Sequence, residues 1–148
     1  MSRTELLQFM RAHTNAVQAT VSPEGSPQAA VVGIAVTNLF EIIFDSLETT
    51  RKAVNLSQNP MIAFVLGSWA PGDERTVQYE GIVDRPVGAE LEALKAIYYA
   101  KFPSGPSRLS WSGIVYLRAR PTWIRYTDFG KNPVERVELD AQQLKALT

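Results

Sequence analysis

The sequence predicts a mainly β, α+β fold: an antiparallel six-stranded barrel with flanking helices and Greek-key-like connections. Six segments carry the β-branched and aromatic residues typical of strands, and turn-forming residues interrupt them at short intervals. Helical periodicity is confined to three places and does not alternate with the strands as it would around a parallel sheet. The 148 residues have the length of one domain, and no linker or repeat divides them, so we expect a single domain over residues 1–148.

The strands are predicted from apolar runs and from the alternation of apolar and polar residues. Pro121 interrupts the last strand and indicates a sheet edge or a bulge, because proline cannot donate to a strand ladder. The tail, residues 134–148, is predicted to add a short strand and a weakly amphipathic helix. The six predicted strands are residues 16–21, 28–36, 39–44, 61–66, 75–83 and 111–125.

Three helices are predicted outside the sheet. Thr4 can cap the first, over residues 4–11, which has an apolar side. The pair Thr49-Thr50 can cap a short second helix. Asn59-Pro60 ends that helix, because the residue before proline is pushed out of the helical region. The third helix spans residues 87–101, with apolar residues at helical spacing.

Composition excludes several classes of function. Acidic and basic residues balance at fifteen each, so there is no excess charge to attract nucleic acid or an anionic membrane. No apolar run approaches the roughly 20 residues of a membrane span, and the N-terminus leads into an amphipathic pattern instead of a signal peptide. We expect a soluble, cytoplasmic protein with no nucleic-acid or membrane partner.

The side chains supply little catalytic chemistry of their own. The sequence has one histidine, His13, and no cysteine, so disulfides, metal sites and the usual nucleophile–base pairs are not predicted. It contains no Gly-rich phosphate loop and no serine elbow. This pattern favours either a borrowed cofactor or no catalysis, and it assigns no catalytic side chain.

A basic pair at the start of the second helix indicates an anion site. Arg51 and Lys52 follow the capping threonines, where the positive end of the helix dipole disfavours cations. An anion such as a phosphate group would reverse that cost, since free N–H groups and both side chains would converge on it. The alternative is that both side chains simply extend into solvent.

The surroundings of this pair resemble one protein family. An apolar strand ending in Phe44-Asp45-Ser46 is followed by Thr50-Arg51-Lys52-Ala53, by Asn55-Leu56 and Asn59-Pro60, and then by the apolar strand 61–66. This order resembles the flavin-binding split barrels related to pyridoxamine 5'-phosphate oxidase. The resemblance implies a split barrel that binds FMN and works as an oxidoreductase.

The resemblance also implies which residues bind FMN. The flavin ring would lie along the backbone of the second strand, and Phe44, Asp45 and Ser46 would line the ribityl and phosphate end. Arg51 and Lys52 would bind the phosphate, and Asp45 would accept bonds from Arg51 or from backbone N–H groups. The residues implied are Ala30, Val31, Val32, Gly33, Phe44, Asp45, Ser46, Arg51, Lys52, and Thr76 or Gln78 on the fifth strand.

In such proteins two barrels pair, and the flavin lies at the subunit interface. The resemblance therefore implies a homodimer in which the partner's last strand touches the flavin. The residues that this implies are Trp111, Trp123, Tyr126 and Thr127. For the two tryptophans, packing in the core or at the dimer interface is an equal alternative.

The substrate is expected to differ from that of the name-giving enzymes. The chain has apolar residues at 30–34, where those enzymes place basic ones, and it lacks their Arg-x-His segment. We therefore expect a small conjugated substrate and a separate reductant, and not vitamin B6 activity. The alternatives are the deazaflavin F420, a flavin- or haem-binding module without catalysis, and an interaction protein that has lost its cofactor. The long anionic tail of F420 would need further basic residues, and Arg75, Arg85 and Arg108 are available. Haem iron would need an axial ligand, and His13 is the only histidine.

Overall fold

A computed structural model describes residues 1–67 and 70–147. Within these residues eight strands form one antiparallel sheet, whereas the sequence predicted six. The order along the sheet is β2-β1-β5-β6-β7-β4-β3, with β8 beside β7. The strands are β1 Asn15–Val21, β2 Pro27–Gly33, β3 Ala35–Val36, β4 Ile42–Leu47, β5 Met61–Gly67, β6 Arg75–Asp84, β7 Ile114–Asp128 and β8 Glu135–Asp140.

The sheet curls because β7 is long and has different neighbours along its length. Its first residues, up to Ala119, pair with β4; its residues from Arg118 onward pair with β6, and those from Trp123 onward also pair with β8 on the other side. The register with β6 shifts where Glu80 faces Trp123 and Gly81 faces Pro121, which confirms the predicted bulge. The strand begins at Ile114 and not at 111, because residues 111–113 form a turn in which the Ile114 N–H donates to the Trp111 carbonyl at 3.4 Å.

The predicted second strand is in fact two strands. β2 pairs with β1, and β3 pairs with β4, so the chain changes partner at Ile34, whose N–H donates to the Thr14 carbonyl. The continuous apolar run gave no sign of this change. The next strand begins later than predicted, at Ile42, because Phe40 has a positive φ of 59° that is incompatible with a strand.

The helices surround the curled sheet. The cap of α1 lies two residues before the predicted one: Ser2 caps the helix in a capping box with Glu5, so the assignment of Thr4 was wrong. A 3-10 turn, residues Gly105–Ser110, was not predicted. None of the helices in the described part of the chain is long and apolar enough to cross a membrane. The helices are α1 Arg3–Ala12, α2 Arg51–Gln58, α3 Gly88–Lys101 and α4 Ala141–Ala146.

Two apolar clusters hold the fold together. The main cluster fills the inside of the curled sheet, where Phe64 packs edge-on against Phe44 and Tyr79. A second cluster fixes α3 to the back of β3 and β4 through Tyr98 and Tyr116. This packing places the C-terminal end of β4 and the start of α2 beside the end strand, β2.

Candidate functional site

The start of α2 is ordered by hydroxyl groups. Thr50 caps the helix by accepting from the Ala53 N–H at 3.3 Å, as the sequence predicted, and it donates to the Leu47 carbonyl at 2.9 Å. Its hydroxyl also lies 2.7 Å from that of Ser46, at the end of β4. The first turn contains no acidic residue. The N-terminus of α2 is thus rigidly placed and keeps its positive potential.

Arg51 and Lys52 differ in how they are held. The Nε of Arg51 donates to Oε1 of Gln28 on β2 at 3.0 Å, so the side chain spans from α2 to the end strand. The side chain of Lys52 makes no hydrogen bond or ion pair with any residue that the structure describes. The terminal nitrogens of Arg51 and the Lys52 ammonium group are therefore available to an anion.

A buried polar cluster holds Gln28, the hydrogen-bond partner of Arg51. Asn55, one helical turn further along α2, donates through Nδ2 to Gln28 Oε1 and to Thr20 Oγ1, both at 3.0 Å. Asn55 and Thr20 are 4% and 2% exposed. On the same face of β1, the buried Oε1 of Gln18 has no partner among the described residues. A buried acceptor without a donor is uncommon in a folded protein.

β2 presents one free edge beside this cluster. The strand lies at the end of the sheet, so the backbone groups on its outer edge have no ladder partner among the described strands. Ala30 and Val31 are exposed, whereas Val32 is buried in the main core. Gly33, which has no side chain, leaves room for a flat ring, but the ring found there is that of Phe102: a Cβ on Gly33 would lie 2.9 Å from its Cζ.

The residues at the end of β4 point in different directions. Phe44 is fully buried in the core, so only its backbone can reach a ligand. Asp45 lies on the opposite face and pairs with Arg108 at 2.8 Å, which corrects the expectation that it accepts from Arg51 or from backbone N–H groups. Burial raises the pKa of the neighbouring Tyr98 above its ordinary value, so its hydroxyl keeps its proton at neutral pH.

The remaining predicted residues lie elsewhere in the same chain. Gln78 and Thr76 are on β6, which β1 and β5 separate from β2. They share the outer face of the sheet with Trp123, which is opposite Glu80. Tyr126 is buried against Phe9, Thr127 is buried beside Thr76, and Trp111 is exposed after the 3-10 turn. One chain therefore brings Ser46, Arg51, Lys52 and β2 together, but not the residues of β6 and β7.

Metal chemistry has no support in the described residues, which contain no cluster of three or more potential metal ligands.

The sequence model of the pyridoxamine 5'-phosphate oxidase family matches residues 2–128. The chain belongs to this family.

Named relatives agree with that assignment. The chain is 32% identical over 123 residues to a pyridoxine/pyridoxamine 5'-phosphate oxidase of Cupriavidus metallidurans. The match covers 78% of this chain and 55% of the relative, so the chain spans about half the length of that relative.

Solved structures of this fold bind different cofactors. A heme binding protein from Mycobacterium smegmatis superposes with a TM-score of 0.82 at 20% identity, covering 99% of this chain and 61% of that one. A pyridoxamine 5'-phosphate oxidase-related, FMN binding protein from Nostoc punctiforme superposes with a TM-score of 0.66 at 14% identity, covering 95% and 90%. These likenesses confirm the barrel-like fold predicted for the family.

Sequence reasoning did not predict the contacts of three residues at the site. Gln28 was not named, Asn55 was named only within the family pattern, and Arg108 only as a cation available for F420. Asn55 had a usable signal, because it follows Arg51 by four residues and so shares its helical face. Gln28 and Arg108 had none. Their contacts join segments 23 and 63 residues apart, which only folding brings together.

Proposed function

We propose that the protein binds FMN through its phosphate and acts as an oxidoreductase of the pyridoxamine 5'-phosphate oxidase family. The observation that carries this proposal is the start of α2, where Arg51 and Lys52 offer uncommitted donors in a turn without acids. Thr50 and Ser46 add hydroxyl groups to the same place. A phosphate monoester is dianionic and suits such a set of donors.

The neighbouring residues fit the rest of the cofactor. The free edge of β2 offers backbone N–H and C=O groups, which are the partners that a flavin ring requires along its polar side. Asp45 does not oppose an anion with a free charge, because Arg108 neutralises it.

FMN supplies two-electron transfer when bound, and the protein supplies binding, orientation and exclusion of water. The substrate would be a small conjugated molecule stacked against the ring, with a separate reductant. We assign no side chain as proton donor: burial raises the pKa of both Tyr98 and Tyr116, which makes their hydroxyl groups weaker acids. Proton transfer is therefore assigned to the cofactor and substrate.

We further propose a homodimer formed through the outer face of the sheet. This face carries apolar side chains in solvent: Val31, Met61, Val65 and Ile82 are 64%, 65%, 42% and 49% exposed. Cross-strand register places Val31, Val17, Val65 and Gln78 in one row. A second copy on this face would bring its own Thr76 and Gln78 towards β2, which a single chain does not do.

F420 has less support than FMN. Its longer anionic tail needs further cations, and two of the three available ones are engaged. Arg75 pairs with Asp73 and Arg108 pairs with Asp45, both at 2.8 Å.

The test replaces both Arg51 and Lys52. Arg51→Ala with Lys52→Ala is expected to abolish the copurifying flavin spectrum and to weaken FMN binding at least a hundredfold, since each charge-assisted bond contributes about 1.5–3 kcal/mol. The control is Arg136→Ala with Lys145→Ala, which removes two exposed cations on β8 and α4. A double variant that remains folded and still copurifies with FMN overturns the phosphate assignment.

Haem binding is a second candidate, favoured by the tautomer of His13. Its Nδ1 lies 2.8 Å from the Phe9 carbonyl, which can only accept, so Nδ1 carries the proton. Nε2 then keeps its lone pair, as an axial ligand of haem iron must. His13 also borders a cavity of about 450 Å³ with Val31 and Asn15.

This second candidate is tested by adding hemin to the purified protein. A shifted Soret band that is lost in His13→Ala and kept in Asn15→Ala supports axial ligation by His13. A band unaltered in His13→Ala removes haem from consideration at this cavity.

A further inference from the structure

Gln28 joins the two sides of the candidate phosphate site. It lies on β2, and its Oε1 accepts from Arg51 Nε and from Asn55 Nδ2, each at 3.0 Å. Both donors belong to α2, so one amide oxygen fixes the helix to the end strand. The two sides are otherwise separated by 23 residues of chain.

The orientation of the Gln28 amide is determined by these contacts. Two N–H donors converge on one atom, and an amide NH2 group in that place could not accept either of them. Asn55 is fixed in turn, because the same Nδ2 donates to the buried Thr20 hydroxyl. The acceptor that Arg51 meets is therefore held by buried partners and is not a mobile surface side chain.

This contact determines what Arg51 can offer to a ligand. Gln28 accepts the hydrogen bond from the Nε of Arg51. The two terminal nitrogens of the guanidinium group remain free for a ligand and can bind two phosphate oxygens at once. An arginine in solvent would have to lose rotamer freedom on binding, whereas Arg51 is already held. Preorganisation of this kind benefits only a ligand that carries the phosphate.

We propose that Gln28 is a positioning residue that makes the site select phosphorylated over unphosphorylated flavins by holding Arg51 in place. The inference rests on the proposed function, because it concerns the same site. It gives β2 two roles: its backbone would bind the flavin ring, and its Gln28 side chain would contribute to phosphate binding.

The experiment measures dissociation constants of FMN and riboflavin by quenching of flavin fluorescence. In Gln28→Met, which keeps the length of the side chain without its amide oxygen, FMN is expected to bind about tenfold more weakly, with riboflavin unchanged. The matched control is Gln58→Met, at the other end of α2. Gln28→Ser, too short to reach Arg51, provides the same test if Gln28→Met does not fold.

A double-mutant cycle separates positioning from direct binding. In an Arg51→Ala background, Gln28→Met is expected to have no further effect on FMN, since the group that it positions is gone. Full additivity, or an equal loss of riboflavin, overturns the inference and leaves the proposed function standing. Wild-type protein that binds neither flavin overturns the proposed function, and the inference with it.

Discussion

Arg108 donates through Nε to Oδ2 of Asp45 at 2.8 Å and thereby ties the 3-10 turn after α3 to the end of β4. The two side chains are only 20% and 18% exposed, so solvent screens the pair weakly. The hydrogen bond to Asp45 raises the pKa of Arg108, which stays charged. Arg108 thereby neutralises the charge of Asp45, the one carboxylate on β4, which lies next to the proposed phosphate site in sequence.

Removal of Arg108 should destabilise the protein through Asp45. Arg108→Met leaves a half-buried carboxylate without its partner, and we expect the free energy of unfolding to fall by about 1–3 kcal/mol. Urea unfolding measures this. Adding Asp45→Asn should restore part of the loss, because the unpaired charge is then gone. Arg85→Met, at an exposed cation, serves as control; an equal loss there contradicts the assignment.

Replacing Arg118 should destabilise the protein more than replacing any other charged residue of the sheet. It is 4% exposed and donates to Asp84 at 2.6 and 2.9 Å and to Glu90 at 2.6 Å. Arg118→Met leaves these acids without their main partner, and we expect a loss of about 3–5 kcal/mol in urea unfolding. Arg120→Met is the matched control, because Arg120 faces the same acids from solvent and should cost less than about 1 kcal/mol. Similar losses in both variants would contradict this account.

The same cluster predicts how stability depends on pH. The hydrogen bond from Arg118 lowers the pKa of Asp84 below its ordinary value of 3.8. A carboxyl group with a lowered pKa in the folded state stabilises the fold above the unfolded-state pKa and loses that contribution as pH falls through the folded-state pKa. Wild type should therefore lose stability below about pH 4.

Asp84→Asn isolates this contribution. The variant should be less stable than wild type at pH 7, and the difference should shrink as pH falls from about 4 towards 2. Urea unfolding at a series of pH values gives the difference directly, since the other carboxyl groups cancel. A difference that is constant across this range would show that Asp84 acts through packing and not through its charge.

The outer face should govern assembly. Val65→Glu places a charge in the middle of the apolar row of β1, β2 and β5, and we expect the proposed dimer to dissociate in sedimentation velocity experiments. Leu39→Glu adds the same charge away from this face, at an apolar residue that is 65% exposed against 42% for Val65, and should leave the dimer intact. A variant at Val65 that remains dimeric places the interface elsewhere.

The sequence by itself determined the class of fold and the start of the site. Strand segments, the Pro121 bulge and the Thr50 cap were all predicted, because hydrophobic periodicity, proline and capping residues act within a few positions of the chain. The basic pair Arg51-Lys52 was conspicuous for the same reason, since it lies where a helix dipole disfavours it.

Only the tertiary structure decided how those pieces are joined. The division of one apolar run into β2 and β3 follows from a change of strand partner at Ile34, and an apolar run looks the same whichever strand it pairs with. The contacts of Arg51 with Gln28 and of Asp45 with Arg108 depend likewise on how α2 and the 3-10 turn pack against the sheet. They join side chains far apart in sequence, and no local pattern encodes which distant group a side chain will meet.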